Sequence, residues 1–425
     1  MKFALACYGS RGDIEPCAAV GRELLNRGHE VRMAVPPELL DFVQSAGLEA
    51  MPYGPNVQSF WDAEFLRKST WTDFRHNFWK VQGPIKLLRA ALEPINHHWA
   101  QMGTTLRSLA DGADLLLTGL TFREAAANVA EYYDIPLAIL HHFPVRAHGQ
   151  LGRILPAPLT RSAMTAMEWV VWRMTKDAED AQRRALGLPK ATVPAPQRIA
   201  RRGATEIQGY DEVCFPELAT EWAKEEVRRP FVGTLTMELS TDADSQVASW
   251  IAAGTPPICF GFGSIPVESA AETVSMISAA CAHLGERALI CSGGTDFSEI
   301  HHPDHVKVVG TVNYAATFPA CRAAVHHGGA GTTAASLRAG VPTLILWSTD
   351  DQSIWGTQVK TLRVGAVRRF SETTQESLME DLRQILAPEC ATRAREIGSQ
   401  MTTSAESVAR AADLLQDLAR SRGRV

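Results

Sequence analysis

No apolar stretch in this chain reaches the ~18–20 residues that a membrane-crossing helix needs, so an integral span is excluded. Positive charge is not in excess either. Lys and Arg number 42 against 47 Asp and Glu, a net charge of −5, which argues against a nucleic-acid partner. No C-x-x-C pair occurs; the eight cysteines are scattered at 7, 17, 214, 259, 281, 291, 321 and 390. Several lie inside apolar runs, where Cys reads as a small core residue of a protein in the reducing cytosol. Internal repeats and low-complexity tracts are missing. The opening Met1–Cys7 is soon followed by Gly9, Arg11, Asp13 and Glu15, so it reads as a first strand and not as a secretion signal.

Two phosphate-binding fingerprints are also missing, which sharpens what remains. The run Val325-His326-His327-Gly328-Gly329-Ala330-Gly331-Thr332-Thr333 reads as a strand end, a glycine turn and then a helix over Ala334–Ala339. A P-loop would carry Lys where Thr332 stands, and the dinucleotide G-x-G-x-x-G is nowhere present. Small residues at a helix start still let backbone N–H groups close around an anion. Thr332 and Thr333 would offer hydroxyls at the same mouth, and His327 an imidazole. The plainer alternative is a tight turn whose glycines serve packing.

The 425 residues suffice for two domains. The first opens with a strand at Lys2–Tyr8, a helix to about Arg27 with Asp13 as N-cap, and a strand at Glu30–Val35; further strands follow at Asp114–Thr118 and Pro136–Leu140. A second series holds Pro257–Phe262, Arg287–Cys291, His305–Val309, Ala323–His326 and Pro342–Trp347. Alternating strands and helices imply α/β architecture with parallel sheets. The expected division is a first domain at 1–215, a linker at 216–232, a second domain at 233–400 and an amphipathic helix at 401–425. That helix carries Val408, Ala411, Leu415 and Leu418 on one stripe.

Gly261-Phe262-Gly263-Ser264 is another Gly/Ser turn after a strand, and Ser348-Thr349-Asp350-Asp351-Gln352 follows a third. An acid beside an amide can hydrogen-bond adjacent sugar hydroxyls, so a phosphate nest and a hydroxyl reader together point to a nucleotide sugar.

Gly9-Ser10-Arg11-Gly12-Asp13-Ile14-Glu15-Pro16, His326 to Thr333 and Asp351-Gln352 together resemble family 1 glycosyltransferases of the GT-B fold. The similarity covers nearly the whole chain, and it is closest to the bacterial branch that includes glycopeptide-antibiotic and sterol glycosyltransferases. Met1–Ala6, Gly21–Leu24, Ala34–Pro37 and Phe143–Arg146 resemble mycobacterial enzymes that add 6-deoxy sugars, rhamnose or 6-deoxytalose, to glycopeptidolipids and phenolic glycolipids.

The resemblance implies two Rossmann-like domains facing across a cleft, 1–215 binding the acceptor and 233–400 the nucleotide sugar, and an inverting, metal-independent transfer with no cofactor. A nucleoside-diphosphate sugar is the donor, dTDP being favoured and UDP-glucose open, and the acceptor is a lipid or peptidolipid hydroxyl. Asp13 takes the general-base position. His327, Gly329, Gly331, Thr332 and Ser264 fall on the donor diphosphate; Ser292, Val312 and Asn313 near the nucleoside; Asp351 and Gln352 on the sugar. Ser10, Arg11 and His142 are candidate donor or acceptor contacts. His326 reads as packing or orientation.

Trp71, Phe74 and Phe78 share one helical face and are candidate acceptor contacts, core packing being the alternative. Trp169 and Trp172, with Arg161, Arg173 and Lys176 nearby, suit peripheral contact with anionic lipid at the inner membrane face. Asp242 and Asp244 spell a D-x-D but precede a helix and read as capping, and the cluster His301, His302, Asp304, His305 is the most metal-like in the chain. Alternative functions are a nucleotide-sugar epimerase of similar fold and a non-catalytic nucleotide-sugar binding protein.

Overall fold

The computed structural model describes residues 1–60, 82–150, 156–225, 227–263, 269–295, 297 and 300–421. It divides into two compact units, Met1–Thr236 with Ala405–Val425, and Met237–Ser404. Each is built on a six-stranded sheet in which every pairing is parallel.

The first sheet contains β1 Lys2–Ala6, β2 Glu30–Val35, β3 Glu49–Pro52, β4 Leu115–Thr118, β5 Leu137–His141 and β6 Thr205–Gln208. Their order is β3-β2-β1-β4-β5-β6. The second contains β7 Ile258–Gly261, β8 Ala288–Cys291, β9 Val306–Val309, β10 Ala323–His326, β11 Thr343–Trp347 and β12 Gly365–Arg369. Their order is β12-β11-β10-β7-β8-β9. The central strands, such as Leu115–Thr118 and Ala288–Cys291, are buried at every position. Helices cover both faces, which is why these strands are continuously apolar and not alternating.

In each sheet the chain works outward from one central strand and then resumes on its other side. The reversal falls between β1 and β4 in the first unit, and between β7 and β10 in the second. Helices leave toward opposite faces there, so a crevice opens at the carboxyl ends of those strands. The Gly9–Asp13 turn follows β1, and the His327–Gly331 turn follows β10.

Three strands were not expected, and all are edges. β3 is at most half-buried, β12 is half-buried over its last three residues, and β6 reads Thr-Glu-Ile-Gln although buried throughout. Segment 216–232, expected as a linker, folds into the first unit. It holds a helix at Pro216–Trp222 with Leu218, Ala219 and Trp222 buried, and Phe231 forms a parallel bridge to Gln208 of β6. Its charges mislead because Arg229 is spent on Glu206 and Glu225.

The last helix, Ser404–Ser421, packs on the first unit. Ala411, Ala412 and Leu415 are fully buried, whereas Val408 and Leu418 of the expected stripe are half-buried. Arg27 caps the end of the helix Arg11–Asn26 and reaches Asp413 at 2.6 Å, and His29 meets Gln416 at 2.7 Å.

One cysteine expectation is corrected. Cys7 and Cys17 are joined as a disulfide, with Cα atoms 7.1 Å apart. Their spacing in sequence carries no signal; the fold places the second turn of the helix Arg11–Asn26 beside the end of β1. The other six are free thiols, all buried except the half-buried Cys390. Among the described residues no helix is long and apolar enough to cross a membrane.

Candidate functional site

The glycine turn after β10 is shaped by its left-handed residue Gly328, at φ +92°. Gly329 is the N-cap, and the helix runs Ala330–Arg338, starting four residues before the expected Ala334. Gly331 and Thr332 therefore sit in the first turn, where the N–H groups of Ala330, Gly331 and Thr332 have no carbonyl partner within the helix. Thr333 is a correction: it is buried, and its hydroxyl donates to the Gly329 carbonyl at 2.9 Å, so it does not line the mouth. Thr332 remains half-exposed.

His327 stands between two glycines. A Cβ at Gly263 would lie 2.6 Å from its Cε1, and one at Gly329 would lie 2.5 Å from its Nε2. Burial lowers the imidazole below its ordinary pKa, outweighing the Gly261 carbonyl and Asp351, so the ring is neutral near pH 7. The turns after β7 and β8 touch backbone to backbone. Gly294 N–H donates to the Gly263 carbonyl at 2.8 Å, and a side chain at Gly293 would overlap that same oxygen. Ser292 lies buried at this junction. Ser264 lies outside the described residues.

Gly328 also backs onto the start of the helix Asp350–Thr361, where an added Cβ would meet the Gln352 carbonyl at 3.1 Å. The structure thus brings Asp351 and Gln352 beside the nest. Gln352 is buried, and its Oε1 accepts from Ser348 N–H at 2.8 Å and Thr349 N–H at 3.2 Å as part of a capping box. Asp351 is exposed and accepts from the Thr349 hydroxyl at 2.7 Å. The Asp350 side chain is outside the description. Val312 and Asn313 have structural work: Val312 packs in an apolar cluster with Cys259, Leu289 and Phe318, and Asn313 caps the short helix Tyr314–Thr317. Asp244, expected to precede and cap its helix, is instead the first residue of the helix Asp244–Ala252, whose N-cap is Ala243; its carboxylate accepts from Thr241 N–H at 2.8 Å and Asn313 N–H at 2.9 Å.

In the first unit the N-cap of the helix Arg11–Asn26 is Ser10, not Asp13. Asp13 occupies the third helical position and curls back, its Oδ2 accepting from Ser10 N–H at 2.8 Å and Ser10 Oγ at 3.1 Å. This closes a capping box. Gly9 is required because a Cβ there would overlap the Asp13 carboxylate. The other oxygen, Oδ1, lies 3.9 Å from Nε2 of the buried His142. The cap therefore engages one carboxylate oxygen and turns the second toward an imidazole. Arg11 is directed elsewhere, pairing with Glu15 at 3.2 Å and lying over the Phe42 ring.

His141, expected either to face the acceptor or to sit as a satisfied core histidine, lies beside a buried Arg146–Glu206 pair that sequence reasoning missed. His141 is fully buried, and neither ring nitrogen has a hydrogen-bond partner among the described residues. Burial drives its pKa well below the ordinary value. Arg146 is buried against Glu206, to which Arg229 also pairs. Burial alone would raise the Glu206 pKa, but the Arg146 guanidinium, with Arg229 beside it, outweighs it and holds the carboxyl at about 2. A Glu inside an edge strand, with Arg in the loop after its neighbour, was the available signal.

His141 and His148, the latter lowered to about 4 by burial, are neutral in the fold and ordinary imidazoles once unfolded. The unfolded chain then binds more protons below pH ~6.5, so stability is full above that pH and falls as acid is added. Each group contributes a slope of up to about 1.4 kcal/mol per pH unit between its unfolded and folded values. Urea midpoints measured from pH 7.5 to 5 should fall on this account, and a flat profile would contradict it.

Trp71, Phe74 and Phe78 lie outside the described residues. Trp172 is buried and donates to Glu179 at 2.8 Å, so it belongs to the core and not to an interface. Trp169 is 39% exposed and shares the solvent side of the helix Ala157–Ala185 with Leu159, Met167 and Val170. Of the basic neighbours, Arg161 pairs with Glu221 and Lys176 with Asp180. In the His301–His305 cluster, His305 Nε2 bonds the Ser278 carbonyl at 3.1 Å, and no group of three metal-capable side chains occurs among the described residues.

Residues 3–108 match the family described as glycosyltransferase family 28 N-terminal domain, and residues 265–419 match the erythromycin biosynthesis protein CIII-like C-terminal domain. The chain is 62% identical to a Mycobacterium tuberculosis protein described as an uncharacterized glycosyltransferase, over 99% of both chains. With this kinship and the two parallel-sheet units, the chain belongs to the glycosyltransferases of the GT-B fold. Among solved structures it resembles the glycotransferase of kitacinnamycin, at a TM-score of 0.72 and 18% identity over 98% of each chain. It also resembles the spinosyn rhamnosyltransferase complexed with thymidine diphosphate, at a TM-score of 0.66 and 15% identity over 97% of this chain and 100% of that one.

Proposed function

We propose that this glycosyltransferase moves a 6-deoxyhexose from a nucleoside diphosphate to a hydroxyl of a lipid or peptidolipid, with inversion and without a metal ion or cofactor. The carrying observation is the nest after β10: open first-turn N–H groups at a helix start, flanked by an imidazole that two glycines accommodate. Such donors stabilise the charge that develops on a departing nucleoside diphosphate. Asp13 Oδ1 accepts the proton of the acceptor hydroxyl as that oxygen attacks the anomeric carbon, and the bond to the diphosphate breaks in the same step. His142 borders that oxygen and is a candidate for orienting it. Ser292 borders the nucleoside, Asp351 bonds sugar hydroxyls, and Gln352 keeps its amide nitrogen for the same task.

Thymidine diphosphate in the spinosyn rhamnosyltransferase supports a dTDP-linked 6-deoxy sugar. The apolar solvent side of the helix Ala157–Ala185 supports an acceptor with a lipid part, delivered at a membrane surface. Calorimetric titration with dTDP and with UDP, each with and without Mg²⁺, tests the donor reading. Micromolar binding of one nucleotide, unchanged by Mg²⁺, is expected. No binding of either would sink the assignment of the nest.

A further inference from the structure

His326 is buried directly behind the nest, and both of its nitrogens are engaged. Gly328 N–H donates to Nδ1 at 3.1 Å, and Nε2 lies 3.2 Å from Ser336 Oγ. A backbone N–H can only donate, so Nδ1 carries the lone pair and Nε2 carries the proton. Ser336 Oγ then accepts from Nε2 and from Thr343 Oγ1 at 3.0 Å, and donates to the Thr333 carbonyl at 2.9 Å. Every member is satisfied, and one side chain ties β10 to the left-handed Gly328, to the helix Ala330–Arg338 and to β11.

We infer that His326 is a positioning residue for donor binding. By drawing the Gly328 N–H inward it fixes the turn, which sets the direction of the first-turn amides and of His327. This rests on reading the turn as the diphosphate site. Burial lowers the His326 pKa well below its ordinary value, in keeping with a ring held in a single neutral tautomer.

Four variants test it, each titrated calorimetrically with whichever of dTDP or UDP the wild type binds, with thermal midpoints measured alongside. His326→Leu removes both bonds and should weaken nucleotide affinity about tenfold or more, the scale of a buried donor left unpaired. His326→Asn keeps an acceptor for the N–H two residues on, as in an Asx turn, and should stay within about threefold of wild type. Ser336→Ala strands the imidazole N–H and should lose affinity that the Ser336→Ala/His326→Asn double variant regains.

Wild-type affinity in His326→Leu, or equal loss in the Leu and Asn variants, would overturn the inference while leaving the donor reading intact. If His326→Leu does not fold, the Ser336→Ala pair decides: loss followed by regain supports the role, and equal affinity in both overturns it. A wild type that binds neither nucleotide overturns the donor reading, and this inference with it.

Discussion

Asp13→Asn should lower sugar transfer by ~10²–10⁴-fold, the usual consequence of removing a general base, while nucleotide affinity stays at the wild-type level. The substitution isolates the chemistry because of how Asp13 is held. Its Oδ2 accepts from Ser10 N–H and Oγ, and an Asn carbonyl can accept from the same N–H, so the capping box survives. What Asn cannot do is take a proton at the oxygen that faces His142. Asp13→Ala is the poorer probe, since it also removes the acceptor of Ser10 N–H and opens the capping box. Single-turnover transfer and calorimetry on the same preparation separate the two effects. Full activity in the Asn variant would revive the non-catalytic binding reading.

The second large effect is expected at His327. His327→Ala should weaken nucleotide binding and reduce turnover together, turnover by ~10²–10³-fold, as for loss of one preorganised donor at a developing anion. Gly329→Ala should reproduce much of this with the histidine still present, because the new Cβ would stand 2.5 Å from Nε2 and displace the ring. Agreement between the two variants ties the phenotype to the position of the imidazole and not merely to its presence. Wild-type nucleotide affinity in His327→Ala would contradict the nest.

Sequence reading reached the central strands because burial on both faces leaves a continuous apolar run, as in Leu115–Thr118 or Ala288–Cys291. It missed β3, β6 and β12 for the complementary reason: an edge strand needs no such run. β6 is polar in sequence because Glu206 is buried against Arg146 and Arg229, a pairing visible only once β5 and β6 lie side by side. The site motifs were legible as turns after strands, whereas the assignment of individual atoms was not. Asp13 was expected as N-cap and is the third helical residue; Thr333 was expected at the mouth and is turned inward; Gln352 was expected on sugar and spends its carbonyl on a cap. Each shift comes from a side chain satisfying a helix start, a need that spacing does not disclose. The Cys7–Cys17 bond left no trace in sequence at all.

The return of Ser404–Ser421 to the first unit has a consequence for biosynthesis. Arg27 and His29 leave the ribosome well before their partners Asp413 and Gln416, which follow 386 and 387 residues later. The second unit is contiguous, Met237–Ser404, and its residues are all in hand before the first unit is complete. A stop codon just before residue 404 would therefore injure the unit whose main part was translated before the second.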